Sequence, residues 1–329
     1  MDESQARGFQ SCPARSQAIY ARRGFPAPVK FLRKGKVKEV YEVSKDELEF
    51  VFTDQISVFD KVIPSLVPHK GETLCRTSAH WFKMVEGMGI KTHFLKVVDG
   101  DRMRVRRVDV IPDYSKLGPK TRNYLVPLEV IARYYVAGSF HDRIKAGKIR
   151  PEDAGFPKGH VPKYGEPLPE PFLETTTKLE KVDRELSRDE AVRISGLTSK
   201  EYDELLETVL RIDGRLNEEV GRRGLIHVDG KKEFGMDGER RLMLVDTFGT
   251  ADEDRFWDLA AYERGEQVEL SKEFVRQYYR KVGYHARLMD ARKAGQPEPD
   301  IPPLPDNVLK EVSDLYISLF ERLTGETFR

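Results

Sequence analysis

The residues from Lys36 to Val43 and again from Leu48 to Thr53 are strand-like, separated by the polar turn "SKDE". Two such segments with a short polar break predict a hairpin, and in a strand Lys36 and Lys38 share one face. The segment "TSAHWFKMVEGMG" (77 to 89) spaces Ala79, Phe82, Met84 and Val85 as one face of a helix that stops at Gly87 and Gly89. "THFLKVVDGDRMRVRRVDVI" then returns to strand composition. Residues 112 to 127 carry three prolines and no period, so they read as a loop or a crossing between lobes, and as a candidate hinge. "LEVIARYYVAGSF" reads as a strand ending in a Gly-Ser turn. Residues 150 to 176 are rich in proline and glycine, which predicts a long, functional loop.

Two capping boxes follow, Ser187 with Glu190 and Thr198 with Glu201, the second opening a long amphipathic helix that ends near Gly221 or Gly224. Next come a strand, the turn "MDGERR" and the wholly apolar strand "LMLV", expected to be central. The chain closes with two helices, "SKEFVRQYYRKVGYHARLMDARKAG" and "DNVLKEVSDLYISLFERLTG", around a proline-rich link. This order predicts an α+β protein with an extension at 1–28, an N-terminal lobe at 29–125, a central lobe at 126–265 and a helical region at 266–329.

Length supports that division, since 329 residues suit about two domains. The 56 lysines and arginines against 55 aspartates and glutamates leave a net charge of +1, so neither nucleic acid nor a membrane is an expected partner and any basic site is local. There is no apolar run of about 18 residues and no signal-like segment, which predicts a cytoplasmic protein. Cys12 and Cys75 share no ligand-like spacing, which excludes a zinc cluster and a disulfide framework. The three asparagines and 34% charged residues lean toward a heat-adapted source. Homo-oligomerisation is left open.

The chemistry gathers in "GLIHVDGKKEFGMDGERRLMLVDTFGTADEDRFWD", residues 224 to 258. In a strand, Asp229, Lys231 and Glu233 share one face at intervals of about 6.6 Å, a row of acid, base and acid. A solvated face laced with ion pairs is one reading of such a row, and a ligand site is the other. The apolar "LMLV" ends in Asp246. If Glu233 sits opposite an even-numbered residue such as Leu242 or Leu244, Asp246 shares its face and the two carboxylates could hold Mg²⁺.

Lys36 and Lys38 suit a polyphosphate, or simply protect a sheet edge. No P-loop and no GxGxxG occurs, and the seven histidines show no HExxH pairing. Arg133 ahead of Gly138 and Ser139, and Arg255 ahead of Phe256 and Trp257, are candidate phosphate ligands or surface ion pairs. Lys272 and Arg276 fall on the first turns of a helix started by Ser271, where the helix dipole favours an anion.

Most of these residues lie in motifs that resemble, in order, the SAICAR synthetase family: "GKVKEVY" (35–41), "TDQISVFDKVIPSLVPHKGETLCRTSAHWF" (53–82), "VPLEVIARYYVAGS" (126–139), "TTKLEKVDRE" (176–185), the stretch above and "PPLPDNVLKEVSDLYISLFERLTG" (302–325). The resemblance implies a two-lobed fold related to ATP-grasp and a ligase that joins carboxyaminoimidazole ribotide (CAIR) to L-aspartate through an acyl phosphate, with ATP and Mg²⁺. A small-molecule kinase on a related fold and a noncatalytic phosphoribosyl-ligand sensor are the alternatives. By the resemblance, Lys36, Lys38 and Lys231 hold the ATP phosphates, Leu125, Val126 and Glu129 belong to the segment that meets adenine, and Glu233 and Asp246 hold Mg²⁺. Lys231, Glu233 and Asp246 are the implied catalytic group. Arg133, Ser139, Asp183, Arg255, Lys272 and Arg276 are implied to serve the substrates, and Asp54, Ser57 and Asp60 a signature loop. Three departures stand out: Thr247 where family members commonly have a glutamate, a shortened "KVDRE" loop, and an apparent insertion at 112–124.

Overall fold

The computed structural model describes residues 30–329, so the extension expected at 1–28 lies outside the described residues. The first antiparallel sheet runs β1-β2-β3-β7-β6, from β1 (Lys30–Lys34), β2 (Lys38–Glu42), β3 (Glu47–Phe52), β6 (Phe94–Asp99) and β7 (Arg102–Arg106). The predicted hairpin is β2 and β3, with Lys38 opposite Phe52. Strands β4 (Gln55–Val58) and β5 (Lys61–Leu66) form a separate ribbon.

The helix expected from residue 77 starts seven residues earlier and spans Lys70–Gly87. Its apolar period already includes Leu74 and Cys75, and with Trp81, Phe82 and Val85 they are buried in the main core. Apolar spacing alone underestimates this helix because its first turn, Lys70–Thr73, is polar yet largely buried.

The second sheet runs β11-β10-β8-β9, with β12 also on β10. It comprises β8 (Tyr124–Tyr135), β9 (Pro167–Thr177), β10 (Leu225–Met236), β11 (Leu242–Val245) and β12 (Asp254–Asp258). Strand β8 runs unbroken through the 125/126 division expected from sequence. The segment 112–127, expected as a loop and candidate hinge, is held by Arg240, which donates to the carbonyls of Gly118 and Thr121 while pairing with Glu201 at 2.8 Å. The second half of the long loop expected at 150–176 is strand β9. Its three prolines are tolerated because β9 is an edge strand with a single partner, β8.

Strand β11 is not central as its apolar run predicted. It is an edge strand that is buried because residues 91–93 run alongside it, His93 donating to the Leu244 carbonyl at 2.9 Å and Leu244 to the Lys91 carbonyl at 2.9 Å. These bonds join the two sheets.

The helix Ser199–Gly221 packs under the second sheet, and its expected capping box at Thr198 and Glu201 is complete. Ser187 caps only one way, accepting from Glu190 N, because the Glu190 carboxylate is drawn to Arg184 at 3.0 Å. The C-terminal region holds three helices, Glu273–Lys281, Tyr284–Ala294 and Asp306–Thr324, rather than two. Gly283, at φ 74°, breaks the first expected helix, a backbone state that glycine adopts without steric cost.

Candidate functional site

Strand β10 changes partners halfway along one edge. Residues 225–230 pair with β12 and residues 233–236 with β11, so Lys231 and Lys232 have no strand partner on that side. The connection 246–253 leaves the sheet at this gap. Its ends carry Asp246 and Glu253, and the gap opens toward the face of β10 that bears Lys231.

Three lysines meet there. Lys231 Nζ lies 2.9 Å from Glu233, 3.0 Å from Glu129 and 3.3 Å from Glu253. Lys178 lies 2.5 Å from Glu233, 3.5 Å from Glu129 and 4.0 Å from Asp246. Lys38 reaches in from the first sheet to pair with Asp246. Burial opposes the charge of Lys231, but Glu233, Glu253 and Glu129 outweigh it and raise its pKa well above the ordinary lysine value. Burial wins at Lys38 and pulls it down to about 7, against the pull of Glu233 and Glu253 and with the help of Lys178 and Lys231. Burial would raise the Glu233 carboxyl, yet Lys178 and Lys231 hold it far below the carboxylate range. Glu129 goes the other way, raised chiefly by burial.

The register condition for a shared carboxylate face is not met, because Glu233 stands opposite odd-numbered Val245. Asp246 nevertheless comes to the same lysine as Glu233. It leaves the strand in the left-handed region at φ 63°, which turns its side chain off the alternation that β11 would impose. His93 supports this turn, its Nε2 lying 3.1 Å from the Asp246 carbonyl. Burial, with Lys38 adding to it, lowers the His93 pKa to about 3, so the ring is neutral and can donate there.

Among the described residues no group of three or more His, Cys, Asp or Glu could enclose a metal ion. Glu233 Oε2 and Asp246 Oδ1 are buried and, although in ion contact, accept no well-aligned hydrogen bond. Two such carboxylates fit Mg²⁺, which commonly takes one or two from the protein and the rest from phosphate and water. Thr247 is buried and adds no carboxylate.

Beside this cluster a cleft of about 150 Å³ is lined by Arg133, Asp229, Lys231, Arg255, Lys272 and Arg276. Asp229 Oδ2 holds both guanidinium groups, Arg133 at 3.3 Å and Arg255 at 2.9 Å. Arg133 also donates to Glu174 at 3.0 Å, and Arg255 to Glu273 at 3.4 Å. The Arg255 guanidinium lies against Gly138, where an added Cβ would come within 2.5 Å of it. Lys272 is the N-cap of the helix that Arg276 enters. Burial lowers the Lys272 pKa, opposed by Asp252 at 3.6 Å.

Several expected residues do not join these contacts. Lys36 precedes β2 in a bend closed by Gly35 N to the Lys38 carbonyl, so the period of two stops short of it, and it pairs with Asp60 at 2.5 Å. Asp54 accepts from the Gly71 amide at 3.0 Å, an N-terminal brace for the helix Lys70–Gly87. Ser57 is buried in β4. Ser139 is exposed in the helix Gly138–Lys145, which replaces the expected turn, and Asp183 is exposed on the short loop after β9. Leu125 is buried with Met243 and Val245, making an apolar patch on the Glu233 side of β10, and Val126 points into the main core. Glu129, expected in the segment that meets adenine, pairs with Lys231 and Lys178.

Sequence reasoning missed Lys178, Glu253 and His93. Lys178 sits in the quoted "TTKLEK" segment, and the run of three threonines before it, a β-prone edge ending in a lysine, was the available signal. Nothing local marks Glu253 or His93, which matter only through contacts across the fold.

A model of the SAICAR synthetase family matches residues 31–289. The chain is 55% identical over 298 residues to the phosphoribosylaminoimidazole-succinocarboxamide synthase of Thermoplasma acidophilum, covering 91% of this chain and 99% of that protein. It is 28% identical over 300 residues to the Nitrosopumilus maritimus protein of the same name, covering 91% of this chain and 100% of that one. Among solved structures it is similar to the Saccharomyces cerevisiae SAICAR synthase complexed with SAICAR, with a TM-score of 0.70 and 25% identity, covering 91% of this chain and 96% of that one. A SAICAR synthetase in complex with ADP superposes with a TM-score of 0.65 at 26% identity, covering 92% and 100%. On a match that spans most of its length, the chain belongs to the SAICAR synthetase family.

Proposed function

We propose that this protein joins CAIR and L-aspartate in purine biosynthesis, consuming ATP and giving SAICAR, ADP and phosphate. The observation that carries the reading is the meeting of Lys38, Lys178 and Lys231 with Glu233 and Asp246 directly beside the arginine-lined cleft. It supports the reading because cations suited to phosphate lie next to a cleft whose arginines suit an anionic substrate.

In this reading the three lysines bind the ATP phosphates, and Glu129 and Glu253 orient Lys231. The patch of Leu125, Met243 and Val245 takes the adenine, and Lys36 contributes only when it leaves Asp60. Glu233 and Asp246 hold Mg²⁺, which when bound neutralises phosphate charge. Arg133 and Arg255, aligned by Asp229, bind the ribotide, and Lys272 and Arg276 take the remaining substrate anions. We also read the two sheets as two lobes around the nucleotide, in the manner of ATP-grasp enzymes. The meeting of residues 91–93 with β11 supports this.

The chemistry needs this cation density. The CAIR carboxylate attacks the γ-phosphorus and ADP leaves, a reaction between two anions that positive charge and alignment must favour. The aspartate amine then attacks the acyl carbon, loses a proton and expels phosphate, forming the amide. A coupled assay of ADP release with CAIR, ATP and Mg²⁺, with and without L-aspartate, tests this. Product formation that requires aspartate is expected. ADP at full rate without aspartate would assign a kinase, and ligand binding with no ADP a sensor.

A further inference from the structure

Beneath the cleft, on the opposite face of β10, lies a second set of charges that no step above uses. Lys232 is completely buried and pairs with Asp213 of the helix Ser199–Gly221 and, at 3.7 Å, with Asp254. Tyr134 donates to Asp213 at 2.9 Å. Asp254 Oδ2 lies 2.8 Å from His227 Nε2, whose Nδ1 lies 2.8 Å from Asn217 Oδ1. Asp254 Oδ1 accepts from the Gly249 amide at 2.8 Å, inside the connection that carries Asp246 and Glu253.

Alternation makes the arrangement mechanical. Glu253 and Arg255 point up to Lys231 and Asp229, while Asp254 between them points down to Lys232 and His227. Opposite Asp254 in the register is Gly230, where an added Cβ would fall 2.0 Å from Asp254 Oδ2 and 2.7 Å from His227 Nε2. Only the missing side chain leaves room for that carboxylate. Bonds from Asp254 therefore run to the sheet on one side and to Gly249 on the other.

We propose that Asp254, anchored by Lys232 and His227 in the space left by Gly230, is a positioning residue that holds the 246–253 connection in the geometry its site residues need. The assignment rests on the ligase reading only for which kinetic constants move; the placement itself does not.

Asp254→Asn and Asp213→Asn separate positioning from mere stability. Both neutralise a fully buried partner of Lys232, but only Asp254 touches the connection. Hydrogen exchange on the full chain is expected to be at least about ten-fold faster over 247–253 in Asp254→Asn than in Asp213→Asn, read against each variant's global stability. In turnover, Asp254→Asn is expected to raise the KM for CAIR and the Mg²⁺ concentration for half-maximal rate by about ten-fold, the scale of lost support behind a ligand. Asp213→Asn should leave both within about two-fold, because Asp213 contacts neither the cleft nor the connection, and its cost falls on global stability. Equal exchange and equal kinetic constants in the two variants would overturn the proposal. If Asp254→Asn does not fold, Gly230→Ala, which crowds the carboxylate without removing it, must show the same local exchange or the idea fails. A wild type that makes no SAICAR would sink the ligase reading while leaving the exchange result to decide this one.

Discussion

Lys231 and Lys232 are neighbours in the chain and opposites in the fold. Lys231 faces the cleft, retains 22% side-chain exposure and has three carboxylates within reach. Lys232 faces the interior at 0% exposure, with Asp213 and Asp254 both fully enclosed. A charge in the open group can exchange partners, whereas a charge in the closed group can only lose one. On the function and the positioning role proposed above, one strand carries binding chemistry on one face and its mechanical support on the other.

The sharpest way to break this comparison is Lys231→Met. We expect a fall in turnover of about 10³-fold or more, in line with loss of a positioned cation at a developing phosphate charge, with a melting temperature near that of the wild type. Collapse of the fold would mean that the two faces are not different in kind. Lys232→Met should instead lose about 3–5 kcal/mol of stability because two buried carboxylates are left without their cation. Chemical denaturation measures this, and an unchanged midpoint would refute it.

The third effect is a pH dependence. In the unliganded protein Lys38 is held at about 7 chiefly by burial, so it sheds its proton as pH rises through neutrality. A bound phosphate favours the charged form, so binding takes up a proton. ADP affinity should then be highest below pH 7 and weaken above it by up to about ten-fold per pH unit. Calorimetry without metal should show that slope, and Lys38→Met should flatten it. The smallest expected effect is from Gly138→Ala, where a Cβ would crowd the Arg255 guanidinium at a backbone φ of 51°. A cost of about 1–3 kcal/mol is expected, together with a raised KM for CAIR. An unaltered KM would remove Arg255 from the substrate side.

The helical and strand periods located most elements, and the alternation of Asp229, Lys231 and Glu233 read correctly as one face of one strand. Reading failed where local pattern and tertiary context part. "LMLV" looked central, but it is an edge strand covered by residues 91–93. Lys36 looked like the partner of Lys38, but a bend ahead of β2 sends it to Asp60. The two metal-candidate carboxylates come together by the left-handed turn at Asp246 and not by the register that sequence reasoning required.

The order of residues alone specified the family, because several separate motifs recur in one succession, and it specified which side chains share a strand face, because alternation is a property of the backbone. Only the tertiary structure decided which charges meet. Lys38, Lys178 and Asp246 come from three distant segments, and a lysine's role depends on whether its acids are open to a ligand or sealed beneath the sheet. That difference is one of solvent access and partner geometry, and residue order does not contain it.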